Sequence, residues 1–271
     1  MRSAGAPWLE NITTTSVRQR LELLGLGQAR GDGAVVHVSG AAHRVPWARH
    51  VDTIVVLADR GNDLFVAKLD RRSVNVEQGT SLASLPSDIV TVDAELPDED
   101  VRRPPSRWSY KSLRAAGAAL RVAEMGGALE RVLEMTVTYA NERVQFGKPI
   151  GKQQAVQQLL ATLAGQVAAC GGATAIAGAA FDALDTLAIG AAKVRAGEAV
   201  NIAAHIAHQV HGAIGYTEEH RLHFFTRRLW AWRDEFGSER HWSAILGRQA
   251  ISAGGDGLWP FVTSFSVAQE A

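Results

Sequence analysis

An α+β chain is predicted, with a small antiparallel β-sheet or barrel followed by an up-down bundle of four helices. Three features of the sequence predict it. Residues 31–95 hold short runs rich in Val and Ile, separated by turn residues. The segment LPDEDVRRPPSRW, 96–108, then joins prolines to a dense run of charges, and a Pro-Pro pair continues neither a helix nor a strand ladder. Beyond it the apolar residues recur in three- and four-residue steps, the period of a helix face. These features divide the chain into 1–30, a remnant or single helix; 31–100, the β domain; and 101–271, the helical domain.

The predicted strands are AVVHV (34–38), TIVVLAD (53–59), DLFVAKLD (63–70) and DIVTVDA (88–94). DRGND, between the second and third, suits a hairpin turn, because Gly61 and Asn62 tolerate positive φ. Val122, Met125, Leu129, Val132, Thr136 and Tyr139 mark one face of a first long helix. A second is expected from near Lys152 to about Leu184, and a third over roughly 187–209. The fourth is placed at Thr217, whose hydroxyl can cap free amides while Glu218 and Glu219 favour the positive end of the helix dipole. Short loops between such helices give an antiparallel bundle.

Lys plus Arg and Asp plus Glu each number 28, so no net field recruits nucleic acid or an anionic membrane. Any anionic ligand must be met by local groups. The single cysteine, Cys170, excludes an internal disulfide framework and fits a reducing, cytoplasmic location. No apolar run follows the basic residue at the N-terminus, so no secretory signal is expected. LAGQVAACGGATAIAGAAFDAL, 163–184, has the length of a membrane span, but its apolar character is mostly Ala and Gly, and Gln166 and Asp182 interrupt it. It reads as a helix whose small residues permit a close helix crossing, not as a span.

Two stretches carry candidate chemistry. In NERVQFGKPIGKQQAVQQLLA, 141–161, Arg143 offers a guanidinium beside a turn with Gly147, Pro149 and Gly151. In HIAHQVHGAIGYTEEH, 205–220, Gly212 and Gly215 let backbone amides approach an anion between two helices. His205, His208 and His211 drift around the helix with no carboxylate or cysteine to complete a set, so no metal is expected.

In this order, and about 65 residues apart, the two stretches resemble the acyl-CoA dehydrogenase family. Its members carry R-x-x-F-G-x-P-I, then F-Q-x-V-Q-x-x-L-A, then Q-x-x-G-G-x-G-Y. The matching residues are Arg143, Phe146, Gly147, Pro149, Ile150, Gln154, Val156, Gln157, Leu160 and Ala161, followed by Gln209, Gly212, Gly215 and Tyr216. AAKVRAGEA (191–199) and VSGAAHRVPWARHVDTIVVLAD (38–59) are also similar to family segments, so the likeness covers roughly residues 30–250.

The resemblance implies a flavin enzyme that dehydrogenates an acyl-CoA between its α and β carbons, as a homo- or hetero-oligomer that passes electrons to an electron-transfer flavoprotein or similar acceptor. It implies that Arg143, Gln145 and Phe146 meet the pyrophosphate and adenosine side of FAD, with Gln154 beside them. Gln209, His211, Gly212, Ala213 and Gly215 would supply backbone and side-chain contacts. A carboxylate would remove the α proton.

The sequence also departs from the family. The T-E-P-x-A-G-S-D stretch beside the flavin and a preceding helical domain have no counterpart in these residues, Gln153 stands where an aromatic is usual, and Ala213 replaces the second glycine of a pair. Weaker cofactor binding, or a partner to complete the site, is expected. In many members the base lies in Y-E-G-T-S-E, which DEFGSE matches with Glu235 on the glutamate if one residue is deleted after Arg227. Without that deletion the position falls on Phe236. Other members place the base on the first bundle helix, here near LRAAGAA, 113–119, which has no carboxylate. If any residue is the base it is Glu235, with Asp234 second; Trp230, Trp232 and Phe236 are expected to desolvate it, which suits a general base and equally an idle charged residue at the rim of a packed helix end. The alternative is a non-catalytic subunit that completes the FAD site of a full-length partner. A flavin oxidase or monooxygenase of the same fold is a third reading.

Overall fold

Alternating apolar residues build the first half of the chain into a sheet. In the computed structural model, which describes residues 27–30, 35–60 and 63–265, the chain forms two compact units that divide between Leu113 and Arg114. The first holds β1 (Gly27–Arg30), β2 (Val35–Pro46), β3 (Thr53–Arg60), β4 (Asp63–Asp70), β5 (Asn75–Glu77), β6 (Ser87–Pro97) and β7 (Val101–Arg102), in the sheet order β5-β6-β2-β1-β3-β4-β7. All four strands expected from the Val and Ile runs are present. The Gly61-Asn62 turn lies outside the described residues.

The sheet is open and mixed. β1 lies antiparallel to β2 but parallel to β3, pairing Gly27 with Ala58 and Gln28 with Asp59. Residues 27–30 therefore add a strand where the sequence suggested a helix at most. Four residues without apolar alternation give no period to read, and their strand is defined only by the partners on each side. β2 and β6 run together from Val35 opposite Pro97 to Pro46 opposite Ser87, with an irregularity between Ala42 and Val45. Val38, Val45, Ile54, Leu69 and Val90 are fully enclosed in this core.

A carboxylate fixes one corner of the sheet. Asp88 is fully buried, and Arg49 meets it through its backbone amide at 3.0 Å and its Nε at 3.0 Å, while the Gly79 amide donates at 3.1 Å. Arg49 also donates from Nη1 to Gln78 Oε1 at 3.0 Å, tying down the loop before β6. Gly79 is required there, since a Cβ would lie 2.4 Å from the Ser87 carbonyl oxygen. Burial pushes the Asp88 carboxyl up, but the bonds from Arg49 and the two amides outweigh it and hold it below its usual 3.8.

The second unit contains most of α1 (Tyr110–Glu142), then α2 (Gln154–Ala179), α3 (Thr186–His211), α4 (Leu222–Asp234) and α5 (Glu239–Thr263). Met125 and Leu129 of α1, Leu163 and Cys170 of α2, Ile189 and Val200 of α3, Leu229 of α4 and Trp242 of α5 share one core. The expected face of α1 is the buried one. α3 starts where Asp185 accepts from the amides of Leu187 and Ala188 at 3.0 and 3.1 Å. Its Ala and Gly residues are buried on nearly every side, which makes α3 the central helix.

Two local expectations are corrected. Thr217 caps no helix: its hydroxyl donates to the Ile214 carbonyl at 2.9 Å, and α4 begins five residues later at Leu222. A short 3-10 turn at Gly212–Tyr216 takes up the intervening chain. Among the described residues the helical region holds five helices rather than four. Glu235 takes extended backbone and ends α4, and Phe236 and Gly237, with left-handed φ of 55° and 102°, redirect the chain into α5.

α2 is long and apolar enough, by length and composition, to cross a membrane. Its Leu163, Val167, Cys170, Ala173 and Ala177 are buried in the shared core. Of the small residues in this segment, Ala173 and Ala177 are the ones buried in the core, whereas Gly165, Gly171, Gly172 and Gly178 have nothing within 4 Å; a Cβ on Gly126 of α1 would meet the Thr174 hydroxyl of α2 at 2.6 Å.

Replacing Asp88 by Asn is expected to destabilise the sheet unit by about 3–5 kcal/mol, because it leaves a partly buried guanidinium uncompensated. Since folding lowers the pKa of Asp88, its stabilising contribution is present above pH 3.8 and is lost as pH falls through the folded value. Denaturant titrations of wild type and D88N between pH 3 and pH 6 would measure this, with the gap narrowing towards acid. Gly190→Ala is expected to cost about 1–3 kcal/mol in a thermal melt, since its Cβ would lie 2.6 Å from the Trp242 indole.

Candidate functional site

The chain after α1 makes a tight hairpin. β8 (Val144–Gln145) pairs with β9 (Lys148–Pro149), and the two turn residues, Phe146 and Gly147, have φ of 52° and 75°. Two consecutive positive values are the signature of a type I′ turn, which suits glycine and strains phenylalanine. The result is a benzyl ring held away from its own chain, 92% exposed, with Arg143, Gln145 and Gln154 also exposed around it.

The second predicted stretch closes α3. Gly212 takes φ 64° and ψ −143°, and nothing lies within 4 Å of where its Cβ would be. Gly215 differs: it is buried, and a Cβ there would meet His211 Cβ at 2.9 Å and Leu222 at 3.3 Å. One glycine of the motif leaves the backbone approachable, and the other serves packing. Gln209 and Ala213 are exposed beside Gly212, while His211 is buried. Tyr139, one turn before Arg143, stacks on His211 with ring centroids 4.5 Å apart. The structure thus joins the two predicted stretches at their bases.

Histidines line that junction. His211 Nδ1 donates to the Ala207 carbonyl at 2.7 Å, and His220 lies 4.7 Å from its ring. His208 Nε2 is 3.0 Å from the Thr226 hydroxyl, and its ring stacks on Tyr216 at 4.6 Å. His205, one turn earlier, faces outward. Burial lowers the pKa of His208, His211 and His220 from 6.5, and neighbouring imidazoles lower them further.

Glu235 lies in the turn between α4 and α5, with its side chain 19% exposed and the Arg121 that it meets lying 5.7 Å over the Phe236 ring. Its carboxylate meets the Arg121 guanidinium of α1 at 2.5 Å, and Arg121 also bonds Glu124 at 2.6 Å. Arg121 is buried, at 5% exposure. Phe236 packs over α1 instead, so close that a Cβ on Gly117 would fall 2.2 Å from its ring. Asp234 points outward and pairs with Arg233 at 3.4 Å. Beneath the turn Lys193 of α3, 1% exposed, donates to the carbonyls of Arg233 at 2.6 Å and Gly237 at 3.0 Å.

Arg121, Glu124 and Lys193 were not singled out from the sequence. Their signal was available, since Arg121 adjoins the apolar stripe of α1 and Lys193 interrupts a run of Ala and Gly on the helix later found at the centre. A cation in such a setting is buried with partners or is not buried at all.

Because folding depresses the histidine pKa values, their stabilising contribution is present above pH 6.5 and lost as pH falls below it. The melting temperature of the helical unit should drop from pH 7 to pH 5. H211Q should flatten that dependence by about one proton, as read from melts across the range.

A family model described as "Acyl-CoA dehydrogenase, C-terminal domain" matches residues 114–249, half of the chain. The acyl-CoA dehydrogenase IpdE2 of Mycobacterium tuberculosis is 41% identical over 111 residues, covering 41% of this chain and 34% of that protein. The glutaryl-CoA dehydrogenase of Desulfococcus multivorans is 30% identical over 206 residues, covering 72% of this chain and 53% of that protein. The chain thus spans a third to a half of the length of these relatives. Among solved structures, the ChsE4-ChsE5 complex from Mycobacterium tuberculosis aligns with a TM-score of 0.73 at 25% identity, over 84% of this chain and 63% of that one. Butyryl-CoA dehydrogenase from Megasphaera elsdenii, at 20% identity and a TM-score of 0.71 over 89% and 66%, has the same fold. This chain belongs to the acyl-CoA dehydrogenase family.

Proposed function

We propose that the chain takes part in flavin-dependent α,β-dehydrogenation of an acyl-CoA thioester, as one subunit of an oligomer in the cytoplasm that passes electrons to an electron-transfer flavoprotein or similar acceptor. The observation that carries this reading is the pair of exposed turns, Arg143–Gly147 and Gln209–Gly215, joined through Tyr139 and His211. Their composition fits a dinucleotide. Arg143 offers charge to a pyrophosphate, Phe146 offers a ring to a planar base, and Gly212 leaves the backbone open. Gln145, Gln154 and Gln209 add amide donors and acceptors, and Ala213 adds no bulk. FAD bound there supplies the acceptor for the hydride that leaves the substrate's β carbon.

Glu235 is the proposed base for the α proton. To act, its carboxylate must turn from Arg121 to the substrate. The proton it gained would leave a neutral acid beside a buried guanidinium, with Glu124 as the remaining counter-charge.

That cost favours a second reading, a non-catalytic subunit that completes the FAD site of a full-length partner. Aligned without the deletion, the same family base position falls on Phe236, and the other family position falls in the 113–119 stretch; the two are packed together here as Phe236 on Gly117. Neither has acid chemistry.

The visible spectrum of the purified chain, before and after incubation with FAD and removal of the excess, separates the readings. A retained flavin band that bleaches on anaerobic addition of acyl-CoA supports the dehydrogenase, and Glu235→Gln should then slow the bleaching by about 10²–10⁴-fold. A colourless chain, or a band indifferent to acyl-CoA and to E235Q, supports the partner subunit. Where the band is retained, Gly212→Val should weaken FAD retention, through a strained backbone and a blocked approach.

A further inference from the structure

The proposed base sits on four residues of irregular backbone, 235–238, between two helices. Such a segment holds one shape only if something outside it fixes its polar groups. Arg233 is in the last turn of α4, where carbonyls lack helical partners, and Gly237 has a φ of 102°. Both carbonyls accept from the Lys193 ammonium, which arrives from α3 and spans the turn from beneath. A third contact closes the same segment: the Trp242 indole Nε1 donates to the Phe236 carbonyl at 3.1 Å, and Trp242 is itself seated on Gly190 of α3.

We propose that Lys193 is the positioning residue of the 234–238 turn, tying the end of α4 to Gly237 and so holding Glu235 against Arg121 and Phe236 against Gly117. The proposal deepens the reading in which Glu235 serves as base, and rests on that reading where turnover is concerned. Lys193 itself touches no reacting atom.

The charges around the ammonium come from three helices and the turn. Glu239 of α5, then Glu235 of the turn and Asp234 at the end of α4, stabilise it, and Arg121 of α1 opposes it. Burial outweighs the carboxylates and pulls Lys193 from 10.5 down to about 8. The turn therefore has a titratable fastener: loss of the proton removes one donor and the charge that attracts both carbonyls.

The test uses the full chain labelled with ¹⁵N and follows the Trp242 indole N–H, assigned by its loss in Trp242→Phe. This group is bonded inside the turn and reports its shape whether or not the chain turns over substrate. In the wild type the resonance is expected to move between pH 7 and pH 10. In Lys193→Met it should be displaced at every pH and should not titrate, while Lys193→Arg, which keeps a charged donor, should hold the wild-type position without the titration. If the flavin-loaded chain dehydrogenates acyl-CoA, K193M should lower kcat on the order of 10²-fold at little change in KM, with much of the loss restored in K193R. An indole resonance that is static across the range in the wild type, or one that stays at the wild-type position in K193M, would overturn the proposal, and the wild-type arm stands even if K193M does not fold. A resonance that titrates in a chain with no turnover would leave the positioning role standing and sink the catalytic reading of Glu235 instead.

Discussion

Helix α3 can be enclosed on nearly all sides only because its residues are small, and the rest of the helical unit depends on that. Gly190 admits the Trp242 indole and Gly197 admits the Glu239 side chain, each at a distance that leaves no room for a methyl group. These two contacts seat the start of α5 directly on α3. With α5 fixed and α4 packed through Leu222 and Leu229, the chain between them must turn sharply, and Phe236 and Gly237 absorb that turn in left-handed conformations. Strain of this kind persists where packing over-determines it.

The same enclosure explains the charges. A lysine on a central helix cannot reach water, so its ammonium must find oxygen atoms within the fold, and the loose end of α4 supplies two. Arg121, buried on α1, is likewise met by Glu124 and Glu235. Buried pairs of this kind are better at specifying one arrangement than at adding stability, since desolvation cancels much of the attraction. Here the arrangement specified is the turn that carries the proposed base. In the sheet unit, Arg49 and Asp88 do similar work at the loop before β6.

The two ends of the candidate site differ in character for physical reasons. Phe146 of the hairpin and Gly212 of the turn are exposed, and nothing lies within 4 Å of where a Cβ on Gly147 or Gly212 would be. At the turn that carries Glu235, the carbonyls of Arg233, Phe236 and Gly237 are met by Lys193 and Trp242, and the carboxylate by Arg121. Family membership alone would have assigned the same readiness to both.

Much of this was legible in the sequence, and the parts that were not share a cause. Val and Ile alternation located β2, β3, β4 and β6, the helical period located α1, and the glycines and Arg143 located the exposed turns, because each signal is set by residues adjacent in the chain. The motif likeness also determined the family. β1 escaped because a strand held between two partners needs no pattern of its own. The start of α4 escaped because Thr217 found a nearer carbonyl than the helix it was expected to cap. Only the tertiary structure could decide that Gly215 packs while Gly212 stays open, that Phe236 rests on Gly117, and that Glu235 faces Arg121 across 114 positions of sequence. Local periodicity says which residues share a face. Which charge meets which across the core is settled by helix packing, where a small residue on one helix sets how closely the next can approach.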